Sequence, residues 1–180
     1  MDYQIPRERS WFKFWPEGIP RHIDYPGIPL FEFLSSAAKK YSHNIAFSCR
    51  QRSLSYAELD ILTSKLTVGL NELGIRKVDS VALLLPNSLE FVIGYYGILK
   101  AGGIASPVNP LYKGEELKHQ LNDSGASTII TDGNSYPIVK ETKNETKLKT
   151  VILADLERAK GAVSLREILA TYPPAPPRFD

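Results

Sequence analysis

The residues of this chain that could carry out chemistry are few and scattered. Its three histidines, His22, His43 and His119, are far apart, and none has a second ligand at a metal-binding spacing. The single cysteine, Cys49, has no C-x-x-C partner and lies in a segment typical of a strand, which favours a small buried hydrophobic side chain over a nucleophile. No G-x-S-x-G motif of a serine hydrolase occurs. The residues by themselves therefore predict neither a catalytic group nor a metal site.

Motifs that bind phosphate groups are also missing. A dinucleotide fingerprint places G-x-G-x-x-G directly after the first strand, so that backbone N–H groups can approach a pyrophosphate. Here the apolar run at residues 81–85 is followed by Pro86-Asn87-Ser88, and proline removes one donor from the turn. The G-x-x-x-x-G-K-[ST] loop does not occur. The pair Glu115-Glu116 begins a predicted helix, where carboxylates stabilise the dipole, so a structural role is favoured over acid–base catalysis.

Composition limits the class of protein. The 180 residues suffice for one domain with a substantial core, and the fractions of 43% hydrophobic and 23% charged residues are those of a globular protein. A net charge of +2 argues against binding nucleic acid by neutralising phosphates. One cysteine forms no internal disulfide, and the start of the sequence has no signal-peptide pattern. We therefore expect a cytoplasmic location and no nucleic-acid partner.

The first 29 residues, which contain five prolines, are predicted to be an extended arm. The aromatic residues of this arm have two interpretations. They could form an interfacial patch, or they could dock into grooves on the folded body, which is the favoured interpretation. The residues concerned are Trp11, Phe12, Phe14 and Trp15.

Residues 30–172 alternate between helical and strand patterns. Leucines at helical spacing follow the capping box Ser55-Tyr56-Ala57-Glu58, and Gly74 ends that helix. Further predicted elements are a helix from Leu30, a hairpin at 45–55, strands at 81–85, 104–108, 128–131 and 151–154, and helices at 89–101, 115–122, 136–147 and from Ser164. Short connections between these elements predict an α/β fold with a doubly wound parallel sheet and flanking helices.

Two further expectations concern the apolar and the proline-rich stretches. Residues 81–110 are interrupted by Pro86-Asn87-Ser88 and by Lys100, so no piece reaches the about 20 apolar residues of a spanning helix. No transmembrane segment is expected. Residues 173–180 are interpreted as a proline-stiffened linker. A linker at this place predicts that the chain continues into further sequence.

The order of several short motifs resembles a known family. Pro86-Asn87-Ser88, Lys100-Ala101-Gly102, Pro107-Val108-Asn109-Pro110 and Asp123-Ser124-Gly125-Ala126 follow one another at the spacing found in AMP-forming acyl-CoA synthetases. The upstream LSYAEL and the pair KFWPEGIP and PLFEFL resemble the fatty-acid–CoA ligase branch. The resemblance covers most of the chain and implies the N-terminal subdomain of an adenylate-forming ligase. One departure is Val78-Asp79, where the family often has Gly-Asp, and we expect a changed turn there.

The resemblance also implies a reaction and a division of labour. In the complete parent enzyme, a fatty acid, ATP and CoA give acyl-CoA, AMP and pyrophosphate, and Mg²⁺ assists. The phosphate loop and the catalytic lysine of the family lie downstream, so the expected partner is the remainder of the ligase. We expect this segment to be inactive alone and to bind no cofactor. By family analogy Asn109, Pro110 and Leu111 lie near the CoA nucleotide, although a turn that closes a strand is the favoured role.

Two other functions stay open at this point. The chain could be a non-catalytic binding or scaffold module that pairs with a partner chain. It could instead be an independent nucleotide-binding domain, which predicts that ATP or NAD raises its thermal stability. We also expect that a half-sheet without its companion exposes apolar surface and can self-associate.

Overall fold

A parallel sheet of five strands forms the centre of the protein. The computed structural model describes residues 9–155 and 159–176. The helices and strands, in chain order, are α1 (Leu30–Lys40), β1 (Ile45–Cys49), β2 (Arg52–Ser55), α2 (Tyr56–Glu72), β3 (Ser80–Leu84), α3 (Leu89–Lys100), β4 (Ile104–Pro107), α4 (Gly114–Ser124), β5 (Thr128–Thr131), α5 (Tyr136–Thr142), β6 (Thr150–Leu153), β7 (Val163–Ser164) and α6 (Leu165–Thr171). Strands β1 and β2 pair as a separate antiparallel hairpin.

The strand order in the sheet is β4-β3-β5-β6-β7. All four neighbouring pairs are parallel, and β3 is an internal strand that pairs with β4 on one side and with β5 on the other. The chain thus proceeds from β3 outward to β4 and then returns to β5 on the opposite side. This reversal makes the sheet doubly wound, in the 2-1-3-4-5 order, and confirms the predicted α/β class.

Helices cover both faces of the sheet. Along β3 the side chains of Val81 and Leu83 pack with apolar residues of α1, α2, α3 and α6. Those of Ala82 and Leu84 pack with apolar residues of α4 and α5. Successive residues of a strand point to opposite faces of the sheet. Because helices cover both faces, all four side chains are buried. The continuous apolar run that follows Ser80 is therefore explained by a strand covered on both sides.

Helix α2 begins with the predicted capping box. The Ser55 hydroxyl accepts a hydrogen bond from the Glu58 backbone N–H at 3.3 Å, and the Glu58 carboxylate accepts from the Ser55 backbone N–H at 2.8 Å. The bond from the backbone, followed by that from the hydroxyl, holds the pKa of Glu58 below its usual range. Gly74, at φ +91°, follows the helix in the left-handed conformation that a glycine adopts without strain.

The last residue of α3, Lys100, has a buried ammonium group. Its side chain is 1% exposed, and its Nζ donates to the Asp60 carboxylate at 2.7 Å, to the Asp60 carbonyl at 3.1 Å and to the Ser64 hydroxyl at 3.0 Å. The same Asp60 oxygen accepts from the Ser35 hydroxyl of α1 at 2.9 Å. The Lys-Ala-Gly motif therefore joins three helices, since all donors of a buried ammonium must find partners.

Two elements differ from the prediction, one in its length and one because it was not expected. The helix expected over 136–147 ends at Thr142, and residues Lys143–Glu145 form a 3-10 turn. The Thr142 hydroxyl donates to the Ile138 carbonyl, and the Thr146 hydroxyl donates to the Lys143 carbonyl. Such side-chain bonds compete with the backbone and shorten helices. Strand β7 was not predicted, because its two residues are too few to give a periodic pattern.

The favoured interpretation of the N-terminal arm is wrong for its aromatic residues. Residues Ser10–Phe14 form a 3-10 helix, and Trp11 and Phe14 remain 51% and 87% exposed instead of docking on the body. The aromatic rings contact one another around Phe12, whose ring lies 6.3 Å from that of Trp11 and 5.8 Å from that of Trp15. A bond from the Trp15 indole N–H to the Ile19 carbonyl turns the chain back on itself. The rings consequently pack locally.

The predicted arm and the predicted linker both extend beyond the described residues. The first eight residues of the arm and the last four of the linker lie outside the described residues. The division into 1–29, 30–172 and 173–180 stays a prediction. Within the described part of the chain, no helix is both long and apolar enough to cross a membrane.

The turn before β3 has a valine in an unusual conformation. Val78 has φ +63° and is 70% exposed, so its backbone adopts the left-handed conformation that favours glycine. The turn is fixed at both ends, because the Val78 N–H donates to the Gly102 carbonyl and the Asp79 carbonyl accepts from the Ile104 N–H. The backbone of this valine is therefore held in a strained conformation.

Replacing Val78 with glycine is expected to raise the free energy of unfolding by about 1 kcal/mol. A β-branched residue in the left-handed region costs about 1–2 kcal/mol, part of which the greater freedom of unfolded glycine offsets. Urea denaturation followed by circular dichroism measures the change. Val78→Ala is the control, because it removes the branch but keeps the Cβ, and should gain less. A glycine variant no more stable than the alanine variant would contradict the strain.

Candidate functional site

A cleft of about 290 Å³ lies at the carboxyl edge of the parallel sheet. It is lined by residues that directly follow β3, β5 and β6 and by residues of the β1–β2 hairpin: Cys49, Arg50, Arg52, Leu85, Pro86, Asn87, Ser88, Leu89, Glu90, Asp132, Asn134, Ala154 and Asp155. The reversal of strand order occurs between β3 and β5. Open α/β sheets bind ligands at this place, because the two loops diverge there.

The segment after β3 forms the floor of the cleft and leads into α3. The Ser88 hydroxyl accepts from the Phe91 N–H at 3.1 Å and so caps the helix. Glu90, in the first turn, places a carboxylate at the positive end of the helix. The first turn of the helix is thus already occupied by the Ser88 hydroxyl and the Glu90 carboxylate. Pro86 adds no donor, so this turn lacks the glycine-rich backbone cradle of a phosphate site.

Two aspartates after β5 and β6 form the opposite wall. The Asp132 carboxylate accepts from the Ser135 N–H at 2.8 Å, and the Asp155 carboxylate accepts from the Gly133 N–H at 2.8 Å. Each carboxylate therefore fixes the loop that follows β5. Parallel strands end at the same edge, which explains why residues 23 positions apart meet here.

The hairpin supplies the cationic side of the cleft. The Arg52 guanidinium donates to the Glu90 carboxylate at 2.7 Å, and the Cys49 thiol contacts the Asn87 carbonyl at 3.5 Å. Both contacts hold the hairpin against the start of α3. Arg50 at the tip has φ +55°, a conformation that turns the chain between the two strands. The favoured interpretation predicted a buried Cys49 side chain. In the structure Cys49 is only half-buried.

The chemistry that this cleft can support is the binding of a polar group. Two guanidinium groups face three carboxylates, and the three carboxylates already accept hydrogen bonds or an ion pair. Within residues 9–155 and 159–176, no three or more of the His, Cys, Asp and Glu side chains are grouped to hold a metal ion. The cleft therefore offers positioning and hydrogen bonding to a ligand.

The predicted site residues Asn109, Pro110 and Leu111 lie at the same edge of the sheet but not in the cleft. They follow β4, and the Asn109 side-chain oxygen accepts from the Leu111 N–H at 3.0 Å. The Tyr112 N–H donates to the Asn109 carbonyl at 3.1 Å, so the four residues form a tight turn. The Leu111 side chain is 80% exposed.

Sequence reasoning considered Cys49 and Pro86-Asn87-Ser88 but missed the charged residues that line the cleft. An aspartate directly follows β5, at Thr131-Asp132, and another lies two residues after the end of β6, at Ala154-Asp155. A polar residue after each of two neighbouring parallel strands was the available signal. Arg50 and Arg52 gave none, since the hairpin reaches the cleft only through tertiary packing.

Comparison with known proteins assigns the family. The profile described as "AMP-binding enzyme" matches residues 34–177. The chain belongs to this AMP-binding family. Its resemblance to AMP-forming acyl-CoA synthetases is thereby confirmed, and the motifs from Pro86 to Ala126 lie inside the matched range.

Several of the curated relatives are long-chain-fatty-acid–CoA ligases. It is 35% identical over 162 residues to a long-chain-fatty-acid–CoA ligase of Yersinia pestis, covering 87% of this chain and 29% of that protein. It is 36% identical over 150 residues to one of Bacillus subtilis, covering 82% of this chain and 25% of that protein. The chain thus spans less than a third of the length of these relatives and corresponds to the N-terminal region of such ligases.

Solved structures agree with the family assignment. A long-chain-fatty-acid–CoA ligase from Archaeoglobus fulgidus is 27% identical with a TM-score of 0.78, covering 87% of this chain and 32% of that one. The N-terminal domain of FACL13 from Mycobacterium tuberculosis is 28% identical with a TM-score of 0.75, covering 84% of this chain and 38% of that one. The fold is therefore that of the N-terminal part of adenylate-forming ligases.

Proposed function

We propose that the chain is the scaffold portion of a ligase that converts a fatty acid, ATP and CoA into acyl-CoA, AMP and pyrophosphate. The observation that carries this proposal is the 35% identity over 162 residues to a long-chain-fatty-acid–CoA ligase. The five-stranded sheet supports the carboxyl-edge cleft and the Asn109–Leu111 turn on one side. Since ATP and CoA are cytoplasmic metabolites, we place the reaction in the cytoplasm.

The cofactors of such a ligase require residues beyond this segment. Adenylation needs Mg²⁺ and cations that stabilise the charge developing on phosphate oxygens. The described residues contain no acidic or histidine cluster for the metal ion, so we assign ATP and Mg²⁺ to the remainder of the ligase, which is the proposed partner. The exposed Pro110 and Leu111 are free to contact CoA, because the Asn109 side chain already fixes the turn. We also propose that apolar side chains on α1, such as the 48% exposed Phe33, contact that remainder or a second copy.

The test is to express the coding sequence of this segment together with the coding sequence that adjoins it. We expect the product to form acyl-CoA from palmitate only when ATP, Mg²⁺ and CoA are all present. The 180-residue chain alone should show no palmitate-dependent exchange of pyrophosphate into ATP and no thermal stabilisation by ATP. Exchange by the short chain would overturn the scaffold role. An inactive longer product that binds a separate protein would instead favour the non-catalytic module.

Replacing Leu111 with glutamate tests whether the turn after β4 borders CoA. In the complete ligase we expect the KM for CoA to rise by roughly tenfold, because a carboxylate repels the CoA phosphates at close range. Adenylate formation does not require CoA, so palmitate-dependent exchange of pyrophosphate into ATP should stay unchanged. Steady-state kinetics measure the KM for CoA, and the exchange assay measures the rate of adenylate formation.

The control variant for this loop is Val78→Glu. It places the same charge on another exposed apolar residue, 70% exposed, but at the amino end of β3, on the opposite edge of the sheet. The KM for CoA should then remain that of the unaltered enzyme. An equal rise in both variants would assign the effect to net charge and contradict a CoA-side role for Leu111.

A further inference from the structure

The N-terminal aromatic segment, residues 9–29, exposes an unusual amount of apolar surface. In addition to Trp11 and Phe14, the segment exposes Ile23 by 67% and Tyr25 by 82%. Phe12 alone is half-buried, and it lies beneath its own neighbours rather than against the folded body. A soluble protein rarely leaves such side chains together in water unless they meet a partner.

The same segment contains a cleft whose described charged lining residues are all cationic. The cleft has a volume of about 390 Å³ and is lined by Arg9, Ser10, Phe12, Lys13 and Arg21. The Arg9 guanidinium lies 5.1 Å from the Trp11 ring centre, and the Arg21 guanidinium lies 5.1 Å from the Phe12 ring centre. Among the residues that the structure describes, no carboxylate lines this cleft. Three cations and a hydroxyl around one opening are suited to an anion such as a phosphate group.

We propose that the N-terminal aromatic segment docks on an anionic phospholipid surface. The cationic cleft binds lipid phosphate, while Trp11, Phe14 and Trp15 enter the interface between head groups and acyl chains. Tryptophan is enriched at this depth because its ring is apolar and its N–H is polar, and basic residues gain about 1 kcal/mol each near anionic lipid. The inference is independent of ligase activity, since docking requires no catalysis.

A second copy of the chain fits this surface less well than a membrane does. A symmetric dimer through the segment would bring the same patch of each copy together and so gather the cleft cations Arg9, Lys13 and Arg21 of both copies at one interface. Like charges facing one another are unfavourable. A free phosphate ion would neutralise the cleft but would leave Phe14 and Tyr25 in water. The lipid surface accounts for the cations and the apolar residues together.

Intrinsic fluorescence gives a direct test, because the two tryptophans of the chain, Trp11 and Trp15, both lie in the segment. The 180-residue chain is mixed with vesicles of phosphatidylcholine, with or without phosphatidylglycerol. We expect the emission to shift to the blue, and the protein to sediment with the vesicles, only when phosphatidylglycerol is present. Raising the salt concentration should reverse both effects.

Two triple variants separate the cleft from net charge. Replacing the three cleft cations with glutamine should weaken partitioning by roughly fivefold per residue and about 100-fold in total. The matched control removes three exposed lysines elsewhere and should retain most of the binding. The variants are R9Q/K13Q/R21Q and the control K77Q/K147Q/K149Q. Trp11→Ser with Phe14→Ser should also abolish sedimentation while the far-ultraviolet circular dichroism of the body is unchanged.

Several outcomes would overturn the proposal. The first is equal binding to vesicles of pure phosphatidylcholine. The second is undiminished vesicle binding by the R9Q/K13Q/R21Q variant. A third is a fluorescence shift produced by inorganic phosphate or glycerol 3-phosphate alone, which would indicate a small-anion site. A fourth is a shift that depends on protein concentration without vesicles, which would indicate contact between copies. The same vesicle assay on the longer ligase product should give the same result if the segment remains exposed there.

Discussion

Replacing Asp60 with alanine is expected to lower the free energy of unfolding by about 3–5 kcal/mol, because the Lys100 ammonium then stays buried without its counter-ion. Lys100 is 1% exposed, and the Asp60 carboxylate at 2.7 Å is the anion that compensates its charge. The same change removes the acceptor of the Ser35 hydroxyl, so α1 also loses a contact. Urea denaturation followed by far-ultraviolet circular dichroism measures the loss.

Two controls show whether the buried charge causes this effect. Lys100→Met removes the ammonium and leaves Asp60, whose side chain is 28% exposed and can be hydrated, so the loss should be smaller than for Asp60→Ala. Lys118→Ala breaks the solvent-exposed pairs with Glu115 and Glu145 and should lower the free energy of unfolding much less than Asp60→Ala does. Equal losses for Asp60→Ala and Lys118→Ala would contradict a special role for the buried pair.

Replacing Gly97 with alanine is expected to destabilise the fold by about 1–3 kcal/mol, although the same change in an exposed helix stabilises it. A Cβ at this position would lie 2.7 Å from Leu66 Cδ2 and 2.9 Å from Leu66 Cγ, and Leu66 is completely buried. The Thr67 hydroxyl also donates to the Gly97 carbonyl at 3.0 Å. Helices α2 and α3 therefore cannot separate without losing this bond.

Gly114→Ala is the matched control for Gly97. Gly114 is the first residue of α4, and a Cβ there would meet only Thr142 Cγ2, at an ordinary distance of 3.9 Å. Alanine should therefore leave stability unchanged or raise it by about 0.5–1 kcal/mol. Thermal unfolding of both variants, followed by circular dichroism, gives the comparison. A stabilising Gly97→Ala would show that the two helices can move apart freely.

Local elements were predictable from sequence where one physical cause dominates. The capping box at Ser55 and Glu58 fixes the start of α2, and the two-sided burial of β3 requires a continuous apolar run. Helix α5 was predicted too long because the hydroxyls of Thr142 and Thr146 bond to backbone carbonyls, which a periodicity count does not register. The arm was misjudged because its aromatics contact one another.

The candidate site was less predictable than the fold. The turn Asn109–Leu111 was found through family resemblance and lies at the carboxyl edge of the sheet, while its CoA-side role stays a prediction. The cleft itself combines Arg52 of the hairpin with Glu90 of α3 and Asp155 after β6. These residues are distant in sequence, and none belongs to a motif of fixed spacing.

The sequence by itself determined the α/β class, most helix and strand positions and the family, because these depend on local patterns and on motif order. The tertiary structure decided three other features. They are the strand order β4-β3-β5-β6-β7, the burial of Lys100 against Asp60 and the meeting of three loops and a hairpin at one cleft. Each depends on which distant segments pack together. That choice is made by the burial of whole faces and by the partnering of buried charge, and no single stretch of residues encodes it.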